Sequence, residues 1–271
     1  MQFIDTINKC PGISELIGLG AEIYLVGGIV RDSFLDLHSN LHSNLQTEGM
    51  YVRSDIHRQL DIESNDIDII VRLLSLDDII SILKNYGSIN MVGSSFRVLK
   101  YIPHGYNYIN QPINITISRK DFMDNKEERH KGIKTYHDQN ITLLSDLGRR
   151  DFTINAMALT LDGQLIDPFN GLQDLRDKII RIVSPSSFIE NSLRILRGIR
   201  FTSRFNFKID KDSWELIINN YQTIGTLSGE RIIKELIVRL FPTETACSDS
   251  VGNNWDISFR SATGGSERRA R

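Results

Sequence analysis

Long apolar segments and closely spaced cysteines are both missing from this sequence of 271 residues. No run of about eighteen apolar residues occurs, and the first ten residues lack the basic region followed by an apolar one that marks a secretory signal. The two cysteines, Cys10 and Cys247, lie near opposite ends of the chain and form neither a metal-ligand spacing nor a disulfide framework. We therefore expect a soluble protein with no membrane segment, located in the cytoplasm or in an organelle.

A surplus of basic residues is also lacking. The 32 Lys and Arg residues are balanced by 34 Asp and Glu residues, which gives a net charge of −2. The chain is therefore not a globally basic nucleic-acid-binding protein, and any such binding depends on locally clustered basic side chains. Hydrophobic residues make up 40% of the chain and charged residues 24%, proportions typical of a globular protein with one large domain or two smaller ones.

The first informative stretch runs from a predicted buried strand into a helix. The apolar residues 23–26 precede Gly27 and Gly28, a glycine pair at which a backbone can approach a ligand closely. Apolar residues at helical spacing follow, and they place Arg31 and Asp32 in the first turn of a helix. The exposed N–H groups of such a turn favour a bound anion.

The second informative stretch is an acidic strand. Residues two apart in a strand face the same way, so Asp66 and Asp68 project side by side while Ile67 and Ile69 face the core. Two adjacent carboxylates repel each other unless a cation neutralises them. Mg²⁺ suits this pair, because it is a hard ion that binds carboxylate, water and phosphate oxygens.

Each of these motifs alone also fits a structural role. A glycine pair before a helix is more often a packing turn than a phosphate site, and acids on a strand are commonly just solvated. Here the acids lie in a run too apolar for an exposed edge, and the order of the two motifs places a triphosphate site near a metal site. For Asp32 and Arg149, a role in capping or ion pairing within the fold is equally open.

The chain divides into three parts by composition. We expect an α/β domain over residues 1–183, with a polar insertion at about 38–63 and a flexible, strongly charged loop at about 120–140. Helical spacing dominates residues 184–241, where arginines recur every three or four residues on one side of a helix. These arginines are Arg194, Arg197, Arg200 and Arg204. Residues 242–271 contain few apolar side chains, and we expect a disordered tail.

Four motifs in this order resemble the signature of the class II tRNA nucleotidyltransferases (CCA-adding enzymes) and the bacterial poly(A) polymerases. They are Gly27-Gly28-x-x-Arg31-Asp32, Asp66-x-Asp68, the run from Arg149 to Asn155, and the segment from Glu190 through Arg194 to Arg197. The resemblance covers about residues 23–240. It implies an α/β (α+β) fold in which a polymerase β-like nucleotidyltransferase head with a mixed sheet precedes an incomplete helical neck that binds RNA.

The resemblance also implies roles for individual residues. Gly27, Gly28 and Arg31 would hold a nucleoside triphosphate, and Asp66 and Asp68 would bind Mg²⁺ and serve catalysis. The full set of implied nucleotide-binding residues is Gly27, Gly28, Arg31, Arg150, Asp151, Asn155, Asn191, Arg194 and Arg197.

Two asparagines depart from the pattern that the resemblance implies. Relatives carry Asp at the position of Asn191, where Asp and Arg read the base edge of CTP or ATP without a template. An ionised Asp only accepts hydrogen bonds, whereas the Asn amide can also donate, so we expect weaker discrimination against UTP and GTP. Asn114 occupies a strand position where relatives often carry an acid, and an asparagine at a strand edge is an equally good reading.

The expected reaction is attack of an RNA 3′-hydroxyl on the α-phosphate of CTP or ATP, which completes CCA at the 3′ end of a tRNA. One alternative is addition of A alone, by a poly(A) polymerase or by the A-adding half of a split pair. Another is a catalytically degenerate nucleotide- or RNA-binding module. Relatives continue beyond the neck, so either a partner chain supplies the missing body and tail or the chain is truncated, and weaker tRNA binding follows in both cases.

Overall fold

The computed structural model describes residues 3–41, 66–92, 98–106, 109, 111–122, 134–137 and 141–238, and its centre is a seven-stranded sheet. The helices are α1 Phe3–Lys9, α2 Pro11–Gly18, α3 Gly28–Leu41, α4 Leu76–Leu83, α5 Leu143–Gly148, α6 Gly171–Asp177, α7 Pro185–Ile189, α8 Leu193–Phe205, α9 Lys211–Asn220 and α10 Gly229–Ile233. Two 3₁₀ segments span Thr153–Asn155 and Tyr221–Thr226, and a π-helical turn spans Lys234–Val238. None of the described helices is both long and apolar enough to cross a bilayer.

Eleven strands form three sheets within the described part of the chain. The strands are β1 Glu22–Val26, β2 Ile67–Arg72, β3 Gly87–Val92, β4 Val98–Pro103, β5 Ile113–Ile117, β6 Arg119–Phe122, β7 Lys134–His137, β8 Ala158–Thr160, β9 Leu165–Ile166, β10 Ile179–Ile180 and β11 Lys208–Ile209. The large sheet has the order β3-β4-β5-β2-β1-β8-β9, in which β2 and β5 are parallel and all other neighbours are antiparallel. The predicted mixed sheet is confirmed.

The central strand β2 serves two cores because its side chains alternate between the faces of the sheet. Ile67, Ile69 and Val71 enter the main core, which also takes side chains from α1, α2, α3 and α4. Ile70 enters a smaller core on the opposite face, where α5 contributes Leu143 and Leu147. The same alternation places Asp68 on the same face of the sheet as Ile70. Asp68 lies near the N-terminal end of β2, and the small core does not cover that end.

The helical region shares the main core with the preceding sheet domain. The cluster that contains the strands also buries Ile195 and Phe201 of α8, Phe207 just before β11, and Ile217 of α9. The short strands β10 and β11 pair in parallel and join the two regions through their backbones. The predicted division at residue 183 therefore falls within one continuous core.

Several expectations about loops differ from the structure. Helix α3 extends to Leu41, so residues 38–41 of the expected insertion are helical, because the helical spacing continues past Leu37. The ends of the expected loop at 120–140 form an antiparallel pair, β6 with β7. The densely charged sequence shows no strand pattern here, because the pairing of β6 with β7 depends on backbone hydrogen bonds. The rest of the insertion and the whole tail, 242–271, lie outside the described residues.

Candidate active site

The Gly27 turn, which consists of Gly27 and Gly28 between β1 and α3, forms the floor of the site. Gly27 has a φ of +78°, a conformation that side chains other than glycine rarely adopt. A Cβ atom at Gly27 would also lie 3.3 Å from Nη1 of Arg150 and 3.6 Å from Oδ2 of Asp68. The conformation favours glycine here, and a side chain would also displace Arg150 slightly. The turn leads into the fourteen-residue helix α3, whose first backbone N–H groups have no partners within the helix.

Asp68 lies beside this turn and is oriented by the neighbouring strand. The parallel register pairs Asp68 of β2 with Asn114 of β5, and Nδ2 of Asn114 donates to Oδ1 of Asp68 at 3.0 Å. Burial raises the pKa of the Asp68 carboxyl; Asn114 and Arg150 oppose this effect, while the charge of Asp66 adds to it. Asp66, just before β2, is exposed.

The carboxylates fit a hard divalent cation. Asp68 presents Oδ2 towards the Gly27 turn while Asn114 occupies Oδ1, and a positive charge would offset both the burial and the repulsion from Asp66. Within the described ranges, no group of three His, Cys, Asp or Glu side chains is close enough to hold a metal by itself. Asp66 and Asp68 would therefore supply two of the ligands, and substrate oxygens and water would complete the shell.

Arg150 is the cation at the centre of the site. Its Nη1 donates to the carbonyl of Asn155 at 3.3 Å, and its Nη2 lies 3.6 Å from Oδ2 of Asp146. Its Nε is buried without a hydrogen-bond partner. Burial lowers the pKa of the Arg150 guanidinium, an effect that Asp146 and Asp68 oppose. The side chain is therefore held over the Gly27 turn with hydrogen-bonding capacity that the protein leaves unused.

Asp146 is the residue of this site that the sequence interpretation missed. Its carboxylate is fully buried in α5 and accepts from Nη2 of Arg149 at 2.6 Å, while also facing Arg150. The signal was the charge spacing, because Asp146 precedes the two arginines by three and four residues. Arg149 therefore pairs within the fold, as does Asp32, whose Oδ1 accepts from Nε of Arg31 at 2.7 Å.

One connected group of side chains lies behind the Gly27 turn and consists of Arg31, Asp151, Asn155 and Arg197. Arg31 donates from Nη1 to Oδ1 of Asn155 at 2.6 Å, and Asn155 donates from Nδ2 to Oδ1 of Asp151 at 3.0 Å. Arg197 donates from Nε to Oδ2 of Asp151 at 2.6 Å. Burial of Asp151 disfavours its charged form, but Arg197 and Asn155 outweigh this and lower its pKa to about 2.

Arg194 and Asn191 lie where α7 meets α8. Arg194 donates from Nη1 to the carbonyl and the hydroxyl of Ser187, at 2.7 and 2.9 Å, and from Nη2 to the carbonyl of Arg149. Asn191 is half-buried, and its Oδ1 accepts from the backbone N–H of Leu193 at 3.1 Å. Since that N–H can only donate, the amide nitrogen of Asn191 is the end left for other partners.

Three of the four arginines on the predicted basic side of α8 bond to other parts of the protein, whereas Arg204 is exposed. Arg200 is buried and donates to Oε1 of Glu235 at 2.7 Å, while Arg194 and Arg197 bind groups of the sheet domain. Helical spacing identifies residues on one side of a helix but does not show whether that side meets solvent or acids from other elements. The use of this side for RNA binding stays a prediction, and Arg200, being buried, is not available for it.

The geometry matches a known family. The sequence profile of the family described as "Poly A polymerase head domain" matches residues 23–181, more than half of the chain, and contains the turn, both carboxylates and Arg150. The chain belongs to this family.

Relatives of this head-domain protein place it among the class II tRNA nucleotidyltransferases and poly(A) polymerases. A CCA-adding enzyme of Lactobacillus helveticus is 32% identical over 236 residues, which cover 85% of this chain and 49% of that protein. An A-adding tRNA nucleotidyltransferase of Aquifex aeolicus is 46% identical over 106 residues, covering 36% of this chain and 13% of that protein.

A solved structure supports the fold assignment. The Bacillus stearothermophilus CCA-adding enzyme in complex with CTP superposes with a TM-score of 0.61 at 26% identity, over 88% of this chain and 47% of that one. The predicted polymerase β-like head is therefore confirmed. The chain spans about half the length of the CCA-adding relatives that it matches.

Proposed function

We propose that this chain is a nucleotidyltransferase that adds CTP- or ATP-derived nucleotides to an RNA 3′ end, and that its substrate is the 3′ end of a tRNA. The observation that carries the proposal is the convergence of Arg150 and Asp68 on the Gly27 turn. A guanidinium with unused donors, the N-terminus of α3 and a carboxylate pair together suit a triphosphate with its metal.

In the proposed reaction, the 3′-oxygen of the RNA forms a bond to the α-phosphorus and the bond to pyrophosphate breaks. The backbone of the Gly27 turn and the free donors of Arg150 would bind and orient the phosphates. Asp66 and Asp68 would hold Mg²⁺, which when bound neutralises charge on the phosphates and polarises the attacked group. Asn114 keeps Oδ2 of Asp68 directed towards the turn.

Asn191 and Arg194 would read the base. Both lie at the α7–α8 corner, where Arg194 bonds to the backbone carbonyl of Arg149. A direct nucleotide contact stays a prediction for Arg31, Asp151, Asn155 and Arg197, since the hydrogen bonds described for these side chains go to one another, to Asp32 or to the backbone. A body supplied by a partner chain also stays a prediction.

Addition of A alone is the second candidate. It rests on a 106-residue stretch, 36% of this chain, that is 46% identical to the A-adding enzyme of Aquifex aeolicus. The two activities share the triphosphate and metal sites, so the difference concerns which base is accepted.

One assay tests both candidates. The purified chain and Mg²⁺ are given labelled CTP or ATP together with a tRNA that lacks CCA, a tRNA that ends in CC, or an unrelated RNA. CCA addition predicts C incorporation on the first substrate, whereas A-only addition predicts A on the second and no C anywhere. Asp68→Asn should abolish incorporation, and Asp77→Asn, a change of an exposed acid on α4, should not. Nucleotide binding by the wild-type chain without any incorporation would instead favour the degenerate module.

A further inference from the structure

Phe201 closes the connected group behind the Gly27 turn into a ring. The guanidinium carbon of Arg31 lies 5.3 Å from the centroid of Phe201, and that of Arg197 lies 5.2 Å from it. The Phe201 ring group is the closed set of Arg31, Asn155, Asp151, Arg197 and Phe201. Polar bonds connect its first four members in that order, and the aromatic ring of Phe201 contacts the arginines at both ends.

The members of this group come from three separate elements. Arg31 belongs to the first turn of α3, Asp151 and Asn155 lie around the 3₁₀ segment, and Arg197 and Phe201 belong to α8. Every member except Arg197 is buried. The ring therefore ties the neck helix to the helix that starts at the triphosphate turn.

The polar bonds leave the Asn155 amide a single orientation. Arg31 can only donate, so Oδ1 of Asn155 must face it, and Nδ2 must then face the Asp151 carboxylate. Asp151 is also committed, because Oδ1 accepts from the backbone N–H of Phe152 and Oδ2 accepts from Arg197. These side chains have little capacity left for a nucleotide.

The group acts on the site through Arg150 and the Gly27 turn. The carbonyl of Asn155 is the acceptor for Nη1 of Arg150, the guanidinium over Gly27. Nη2 of Arg31 lies 3.5 Å from where a Cβ on Gly28 would be. A shift of α8 would move the Phe201 ring, then Arg31 and Asn155, and with them the groups that we propose to hold the triphosphate.

We propose that Arg31 and Arg197 are positioning residues, and that the Phe201 ring group couples the neck helix to the triphosphate turn. This inference rests on the proposed function, because it concerns how the same site is held. The planar guanidinium and the aromatic face are both essential to the coupling, so lysine at position 31 fails to replace arginine.

The first test compares nucleotide binding by wild-type protein, Phe201→Leu and Phe207→Leu. Phe207 is a matched control. It is buried in the same aromatic cluster, where its ring packs against Phe205, and no described guanidinium lies over the Phe207 ring. ATP and Mg²⁺ are titrated calorimetrically in the absence of RNA, so that no turnover occurs. Phe201→Leu should weaken ATP binding about tenfold and Phe207→Leu less than about twofold. Equal affinities of the two variants would overturn the coupling.

Arg31→Lys in the same titration separates positioning from direct phosphate binding. A positioning role predicts a loss about as large as that of Phe201→Leu, and the double variant Arg31→Lys with Phe201→Leu should lose little more than either alone. A direct phosphate ligand would instead retain much of its effect as lysine, and its loss would add to that of Phe201→Leu. That second pattern overturns the proposal.

A second readout does not depend on nucleotide binding. Urea unfolding is measured for Arg31→Lys, Arg197→Lys and the double variant, because both side chains belong to the ring group. Coupling predicts that the unfolding constants depart from additivity by about fivefold, and simple additivity contradicts it. If the wild-type chain binds and transfers no nucleotide, the proposed function fails, while this cycle still decides whether the ring group acts as one unit.

Discussion

Asn191 presents its amide nitrogen because its oxygen is already used by the backbone of α8. An aspartate there could bind the same N–H with one oxygen and still direct the other outward as an acceptor. The amino groups of cytosine and adenine need an acceptor, whereas the carbonyls of uracil and guanine need a donor. The orientation seen here therefore strengthens the expectation of relaxed base selection.

Replacing Asn191 with Asp should restore that selection. We expect the preference for CTP and ATP over UTP and GTP to rise by about tenfold, since a charged hydrogen bond replaces a mismatched one. Incorporation of all four nucleotides by wild type and Asn191→Asp measures this. Asn191→Ala is the control, because it removes the side chain without adding an acceptor, and selectivity equal to that of the Asp form would contradict the assignment.

Asp151 makes the stability of the chain sensitive to acid. Its pKa falls from 3.8 to about 2 on folding, so the unfolded chain takes up this proton first as the pH falls. The stabilisation is complete above about pH 4 and is lost as the pH approaches 2, and it amounts to about 2 kcal/mol. Urea unfolding between pH 5 and pH 2.5 should show a steeper loss for wild type than for Asp151→Asn. The exposed Asp212→Asn should follow the wild-type curve.

Single residues were predictable from sequence where local chemistry determined their place. The glycine at position 27 and the place of Asp68 between the core-facing Ile67 and Ile69 needed only strand geometry and chain order. The partners of Arg31 and Arg200 were not predictable, because Asn155 and Glu235 approach them through tertiary packing. A pattern of charges specifies how many partners are needed and leaves their identity open.

At the scale of elements, α5 acts as a support for the site. This six-residue helix covers the small core with Leu143 and Leu147 and directs Asp146 at the two arginines that follow it. Its own hydrogen bonds could not hold so short a helix in water. Packing and the buried carboxylate keep it in place, so the loss of either should disturb Arg150.

Asp146→Asn tests this support. The change keeps the shape of the side chain but removes the charge that faces Arg149 and Arg150, and we expect a loss of about 2 kcal/mol in the free energy of unfolding, reduced from the fully buried case because both arginines are partly exposed. ATP binding should weaken in parallel, since Arg150 loses its anchor. Asp77→Asn should change neither quantity, and unaltered ATP binding by Asp146→Asn would show that Arg150 is held by other contacts.

The element order was largely predictable, and the errors have a common cause. Strands β1, β2, β4 and β5 are apolar runs, and the spacing of their apolar residues was sufficient to predict them. The hairpin of β6 and β7 is charged, and the pairing partner of a strand is not encoded within the strand itself. For the same reason, the side of α8 that faces the sheet domain could not be predicted without the fold.

At the scale of the whole molecule, the proposed binding of Mg²⁺ to the carboxylate pair would contribute to stability. Burial raises the pKa of Asp68, so without a cation its charge opposes folding as the pH rises through that pKa. Mg²⁺ at about tenfold its dissociation constant should therefore stabilise the chain by about 1.4 kcal/mol at pH 7. Thermal unfolding with and without Mg²⁺ measures this, and Asp68→Asn should abolish the shift while Asp77→Asn keeps it. A shift of equal size in Asp68→Asn would place the metal elsewhere.

The bonds of Arg194 to the backbone of Arg149 and Ser187 have a consequence for how relatives of this protein can be recombined. Excision of the sheet domain at residue 183 would leave the Arg149 carbonyl without its donor and would expose the face of Phe152 that packs on Phe188 and Phe201. A head exchanged between two family members should therefore function only when α7 and α8 travel with it. We expect the sheet domain, α7 and α8 to behave as one unit in such an exchange.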